Sequence, residues 1–119
     1  MGGHTLAEAS AALESLDAEV LVSHYAGSFR FQDAAAAKTI TTRDDLLAYF
    51  RSLFALPDVG FTITAIFEDA EFGAIEWTWS GTSRAYNRPY SIMGASIFQL
   101  GEQGIERETI YYDPRPALS

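Results

Sequence analysis

The hydrophobic period of this chain changes once, at Pro57. Before it, apolar residues recur at three- and four-residue spacing; after it, they alternate. Helical segments followed by a run of strands must stack helices over one face of a sheet, an α+β order. The alternating half reads as four long strands, Val59–Glu68, Ala74–Arg84, Tyr90–Leu100 and Ile105–Tyr112. The breaks, Asp69–Gly73, Ala85–Pro89 and Gly101–Gly104, are short enough to make neighbouring strands antiparallel.

The first half reads as three helices. Leu6, Ala9, Leu13 and Leu16 share one face of a helix over Leu6–Leu16. Asp17 caps a second over Ala18–Tyr25, ended by Gly27. Phe29–Gln32 reads as a short strand and Ala34–Ile40 as a loop. Thr42 with Asp45 opens a third helix carrying Leu46, Leu47, Tyr49, Phe50, Leu53 and Phe54, which Pro57 stops. Long twisted strands curl, and a curled sheet covered by helices leaves a cone-shaped cavity.

At 119 residues this is one domain, residues 1–119, with room for one core. Eight basic residues against sixteen acidic give a net charge of −8, and no basic stripe is present to displace counterions from phosphates. Nucleic acid and an anionic membrane surface are therefore not expected partners. No apolar run approaches the roughly 20 residues that span a bilayer. The start, MGGHTLAEAS, has no secretion-signal pattern, and Leu6 stands where myristoylation of Gly2 would want Ser or Thr. With no Cys, disulfides, thiolate metal sites and Cys nucleophiles are excluded, and the expected location is cytoplasmic. His4 and His24 are the only histidines and sit in no ligand spacing, so neither metal nor other cofactor is expected. No phosphate loop, dinucleotide fingerprint or Ser–His–Asp order is present.

Several segments, in this order, carry a resemblance: Phe29-Arg30-Phe31-Gln32-Asp33, Thr42-Arg43-Asp44, Glu76-Trp77-Thr78-Trp79-Ser80-Gly81-Thr82, Ile97-Phe98-Gln99-Leu100, and Ile105 through Asp113. Together the chain resembles the SnoaL-like branch of the nuclear transport factor two-like superfamily. The resemblance implies a cone-shaped, cystatin-like α+β fold, with three N-terminal helices packed on a strongly curved antiparallel sheet. It spans almost the whole chain but leaves function open, because this fold hosts many chemistries.

Ala11–Asp33 is similar to the matching segment of ketosteroid isomerase without a gap, and the isomerase's general base falls on Asp33. Its oxyanion-hole Tyr falls on Ala9 and its oxyanion-hole Asp on or beside Ser96, so that donor pair is not retained. Pro89–Asp113 is similar to limonene epoxide hydrolase. That enzyme's five polar positions fall on Trp79, Trp77, Ile110, Phe31 and Asp33, so its reaction is not expected either. The same alignments imply that Ile75, Trp77, Trp79 and Gly81 face the cavity, with Glu108, Ile110 and Tyr112 on the last strand. Arg107, Thr109 and Tyr111 would lie on the convex face.

The resemblance makes Asp33 the candidate base. Apolar flanks would disfavour its charge, which suits acid–base work near neutral pH; otherwise it is a loop Asp accepting backbone N–H bonds. Glu108 is the second acid or base, or else the partner of Arg84 or Arg88. Tyr112 is a candidate hydrogen-bond donor. Phe31, Trp77, Trp79, Ser96 and Ile110 line the substrate site, with the tryptophans as broad apolar walls; these would equally serve as core. Tyr25 and His24 read as packing residues. The leading expectation is a cofactor-independent isomerase, dehydratase or cyclase acting on a hydrophobic carbonyl compound. The alternative is a non-catalytic ligand-binding or dimerisation module. In either case the aromatic alternation around Tyr111 suggests a homodimer through the convex face.

Overall fold

The computed structural model describes residues 5–118. In chain order the elements are α1 (Thr5–Glu14), α2 (Ala18–Ser23), β1 (Tyr25–Asp33), β2 (Lys38–Ile40), α3 (Arg43–Phe54), β3 (Gly60–Glu68), β4 (Phe72–Ser83), β5 (Arg88–Gly101), β6 (Gly104–Tyr112) and α4 (Arg115–Leu118). The helix-then-strand order read from the period change is the observed one. Gly2 and His4 lie outside the described residues.

One curved, open six-stranded sheet has the order β2-β1-β6-β5-β4-β3. The three hairpins from β3 to β6 are antiparallel, as their short breaks require. Three features differ from the sequence reading. β1 runs parallel to β6, so the sheet is mixed. The pairing shifts register between Tyr25 and Arg30, a bulge in the first half of β1. Within the expected loop, Lys38–Ile40 folds back on Phe31–Asp33 as β2, its turn including Ala37 at φ 53°.

The second helix also ends earlier than expected, at Ser23, and Tyr25 opens β1 instead. The cause is tertiary. The Arg43 guanidinium donates to the Val22 carbonyl at 2.8 Å and the Tyr25 carbonyl at 3.1 Å, taking up carbonyls that helix continuation would use. A short fourth helix, Arg115–Leu118, was not expected.

Caps read from sequence are present at both helix starts. Asp17 accepts from Val20 N–H and Thr42 from Asp45 N–H. Helix α1 is tied at both ends to edge strand β3: Glu68 Oε1 accepts from Leu6 N–H at 3.0 Å, and Glu14 Oε2 from Ile63 N–H at 2.9 Å. The core between helices and sheet is centred on Phe31, Leu6, Leu46 and Ile105, all fully buried. Burying each contributes roughly 1.5–3 kcal/mol. Among the described helices, none is long and apolar enough to cross a membrane.

Candidate functional site

Alternation along the strands sends one set of side chains from each strand to the concave face. Phe31 comes from β1, Phe61 from β3, Trp77 and Trp79 from β4, Ser96 from β5, and Glu108, Ile110 and Tyr112 from β6. Leu13 of α1 and Tyr49, Phe50 and Leu53 of α3 close the other side, around a cavity of about 70 Å³. Seven of the eight sequence-predicted site residues, Phe31, Trp77, Trp79, Ser96, Glu108, Ile110 and Tyr112, line this one cavity, and Asp33 does not.

The walls are a continuous aromatic cluster. Phe61 stacks on Trp79, with centroids 6.4 Å apart, and Tyr112 meets both Trp77 and Trp79 at about 6 Å. The Trp77 indole lies flat over Gly94, its cross-strand partner. A Cβ at Gly94 would come within 2.4 Å of that ring. Gly94→Ala is therefore expected to displace the indole and destabilise the fold by about 1–3 kcal/mol, read as a lower urea midpoint with altered tryptophan emission.

Asp33 sits at the end of β1, 3 % exposed. It is not in the wall of the 70 Å³ cavity, but two of its hydrogen-bond donors, Tyr49 and Tyr112, are. Tyr49 and Tyr112 both donate to Asp33 Oδ2 at 2.8 Å, and Ala36 N–H donates to Oδ1 at 3.1 Å. The aromatic neighbours of this carboxyl thus present hydroxyls to it, not only apolar faces. Burial first, then the charge of Asp33 on Tyr49 and the hydrogen bond to Asp33 on Tyr112, push both phenols well above the usual tyrosine range. They remain protonated donors. Beyond Asp33, Tyr49 and Tyr112 lies an open groove between β2 and α3, flanked by Lys38, Thr39, Asp45 and Ser52. The Tyr49–Asp33–Tyr112 cluster therefore stands between the enclosed cavity and the groove.

Glu108 lies deeper, 6 % exposed. Tyr25 donates a short hydrogen bond to its Oε1. Ser96 also hydrogen-bonds it and accepts in turn from Trp77 Nε1 at 3.0 Å. Burial pushes the Glu108 carboxyl up to about 7, against the smaller downward pull of those two hydroxyls. The ion pairs among the described residues are His24–Glu8, Arg51–Glu19 and Arg115–Asp113, and none involves Glu108. Neither Arg84 nor Arg88 is its partner.

The strand register relates the two acids. Phe31 pairs with Glu108 and Asp33 with Ile110. One strand across and two residues along places their backbones roughly 8 Å apart. Sequence reasoning missed two participants. Tyr49 looked like one more apolar-face residue of α3. Tyr25 fell in a helix that ends before it. Among the described residues, no cluster of three His, Cys, Asp or Glu is arranged to hold a metal.

A curved, open six-stranded sheet with N-terminal helices on its concave side is the nuclear transport factor two-like class of α+β fold. Within that class the chain belongs to the SnoaL-like domain family, whose model matches residues 6–107. Among curated proteins, none matches it. Several solved structures do. A nuclear transport factor two-like protein from Burkholderia thailandensis superposes with TM-score 0.86 at 18 % identity, covering 98 % of this chain and 95 % of its own. A protein of ketosteroid isomerase-like fold from Catenulispora acidiphila, solved with trimethylamine, gives 0.83 at 20 % identity, covering 96 % and 88 %. A protein proposed to be a SnoaL-like polyketide cyclase from Shewanella denitrificans gives 0.74 at 15 % identity, covering 95 % and 90 %. At these identities the likeness shows the fold.

Proposed function

We propose that this protein is a cofactor-independent proton-transfer catalyst for a small, uncharged carbonyl compound. The observation that carries the reading is the pair of buried carboxyls in opposite surroundings, Glu108 in the wall of the aromatic cavity and Asp33 behind two phenols that line it. Asp33 is gripped by three donors. Glu108 is desolvated and held near neutrality. Pairs of acids in contrasting environments divide acid and base roles. Asp33 takes the proton beside the carbonyl, and Glu108 in its protonated form donates to the carbonyl oxygen as charge develops there. Asp33 then returns its proton to the far carbon of a neighbouring C=C while Glu108 takes its own back from the enol oxygen, which gives isomerisation. Tyr49 and Tyr112 orient Asp33, and a substrate entering from the groove replaces one of their hydrogen bonds.

Cavity size narrows the substrate. An engineered cavity of about 150 Å³ accommodates benzene; this one is about 70 Å³. A short branched ketone suits it best, a single ring needs the cavity to widen to about twice this volume, and a multi-ring compound requires the Tyr49–Asp33–Tyr112 cluster to part. The test is deuterium incorporation from D₂O into small cyclic ketones, followed by NMR. Exchange well above the buffer rate is expected. A panel of such ketones that exchanges no faster with protein than without it overturns the reading.

The second reading is a binding module without catalysis. It is favoured by one observation: both oxygens of Asp33 already have donors, which a purely structural carboxylate would also show. We also propose that the convex face joins two copies. Met93, Ile97 and Tyr111 on β5 and β6 are 65 %, 50 % and 53 % exposed on that face, more apolar area than scattered surface residues need. Ile97→Lys is expected to convert a dimer to a monomer in analytical ultracentrifugation. A wild-type protein that sediments as a monomer overturns the dimer.

A further inference from the structure

A second, smaller cavity of about 30 Å³ lies behind the first. The two share Leu13, Phe50, Trp77, Ser96 and Glu108 as a common wall. The inner chamber is closed by apolar side chains such as Ile75 and Phe98, but four polar side chains also line it: Ser10, Tyr25, Ser96 and Glu108. The hydroxyls of Tyr25 and Ser96 are engaged with Glu108. Ser10 is different. It sits on the inner face of α1, 3 % exposed, and its Oγ has no hydrogen-bond partner among the described residues. A hydroxyl buried without a partner costs about 1–3 kcal/mol, and the chamber exceeds the roughly 10–15 Å³ needed by a single water-sized group.

We propose that the inner chamber is a polar subsite that takes the hydroxyl or carbonyl oxygen of a small ligand whose apolar body occupies the outer cavity, with Ser10 as its specificity-determining contact. The preferred ligand is then a bipartite neutral molecule: one apolar ring or branch bearing a single short oxygen arm. A carboxylate or phosphate arm is disfavoured, because the chamber holds an acid and no cation. The proposal rests on the reading of Glu108 as part of the ligand site, but it concerns binding and not turnover.

The test compares phenol with benzene as probes, read by intrinsic tryptophan fluorescence, since Trp77 faces both chambers. The wild-type protein is expected to bind phenol on the order of tenfold more tightly than benzene. Ser10→Ala, a replacement that suits a helix, is expected to remove most of that preference while leaving benzene affinity unchanged. Thermal unfolding checks that the variant is folded, and Ser10→Cys serves in its place if it is not. Phenol binding that is indifferent to Ser10, or a high-resolution complex in which a water keeps the chamber and the phenol oxygen stays outside, overturns the subsite and leaves the catalytic reading standing. Ser10-dependent phenol binding without any deuterium exchange does the reverse. No phenol binding at all overturns the subsite, and the ketone exchange alone decides the catalytic reading.

Discussion

Replacing Asp33 with Asn is expected to slow deuterium exchange into a bound ketone by about 10²–10⁴-fold, the usual contribution of a positioned general base. The amide retains an oxygen that can accept from Tyr49 and Tyr112, which now both donate to Oδ2 at 2.8 Å. The bond from Ala36 N–H is given up, because the amide NH2 then faces that donor in place of Oδ1, but both phenol bonds are kept while the ability to take a proton is lost. Ligand affinity, read by tryptophan fluorescence, should change less than about twofold, because a change confined to the transition state leaves ground-state binding intact. An exchange rate equal to wild type removes Asp33 from the mechanism. The binding-module reading predicts another pattern: no exchange by the parent protein, and an Asp33→Leu variant that binds apolar ligands at least as well.

Glu108→Gln is expected to change how stability depends on pH. The folded protein holds the Glu108 proton up to about 7, whereas the ordinary value is 4.5. Between those values the native state binds a proton that the unfolded chain has released. The resulting stabilisation is complete below about pH 4.5 and is lost as pH rises to about 7. The loss is roughly 3 kcal/mol at 1.36 kcal/mol per pKa unit. Gln keeps the shape and does not titrate, so urea unfolding at about pH 5 and pH 8 should show the variant gaining roughly 2–3 kcal/mol on wild type between the two. Other carboxylates cancel in that difference. Parallel pH profiles for the two proteins overturn the assignment of Glu108 as a buried acid without a cationic partner.

Much of the fold was legible because it follows from period and punctuation. The change at Pro57, the capping residues Asp17 and Thr42, and the short breaks between strands are local signals. The parity of Trp77, Trp79, Glu108, Ile110 and Tyr112 followed from a two-residue repeat once the resemblance supplied one anchor. What was not legible depends on partners far along the chain. The end of α2 depends on Arg43, and β2 forms because Phe31–Asp33 offers it an edge. The parallel pairing of β1 with β6 is a tertiary choice that neither strand announces. In the site, Asp33 was picked out by the resemblance, and Glu108 by the strand parity that the resemblance implied. Their surroundings were not legible. The two phenols on Asp33 come from α3 and β6, and the phenol on Glu108 from a residue placed one element too early.

The β1–β6 pairing also dictates when the site comes into being. Tyr25 and Glu108 are 83 residues apart in the chain, and Asp33 and Tyr112 are 79 apart. Glu108 does not meet Tyr25, and Asp33 does not gain its second phenol, Tyr112, until β6 is laid between β1 and β5. Closing loops of that length is entropically slow. Until residues 104–112 are in place, β1 has only β2 and the helices to pack against, with Phe31 resting on Tyr49 and Phe50 of α3. The last long strand to be made completes both the sheet and the chemistry, and a chain interrupted before it holds every cavity-lining residue of its helices yet encloses nothing.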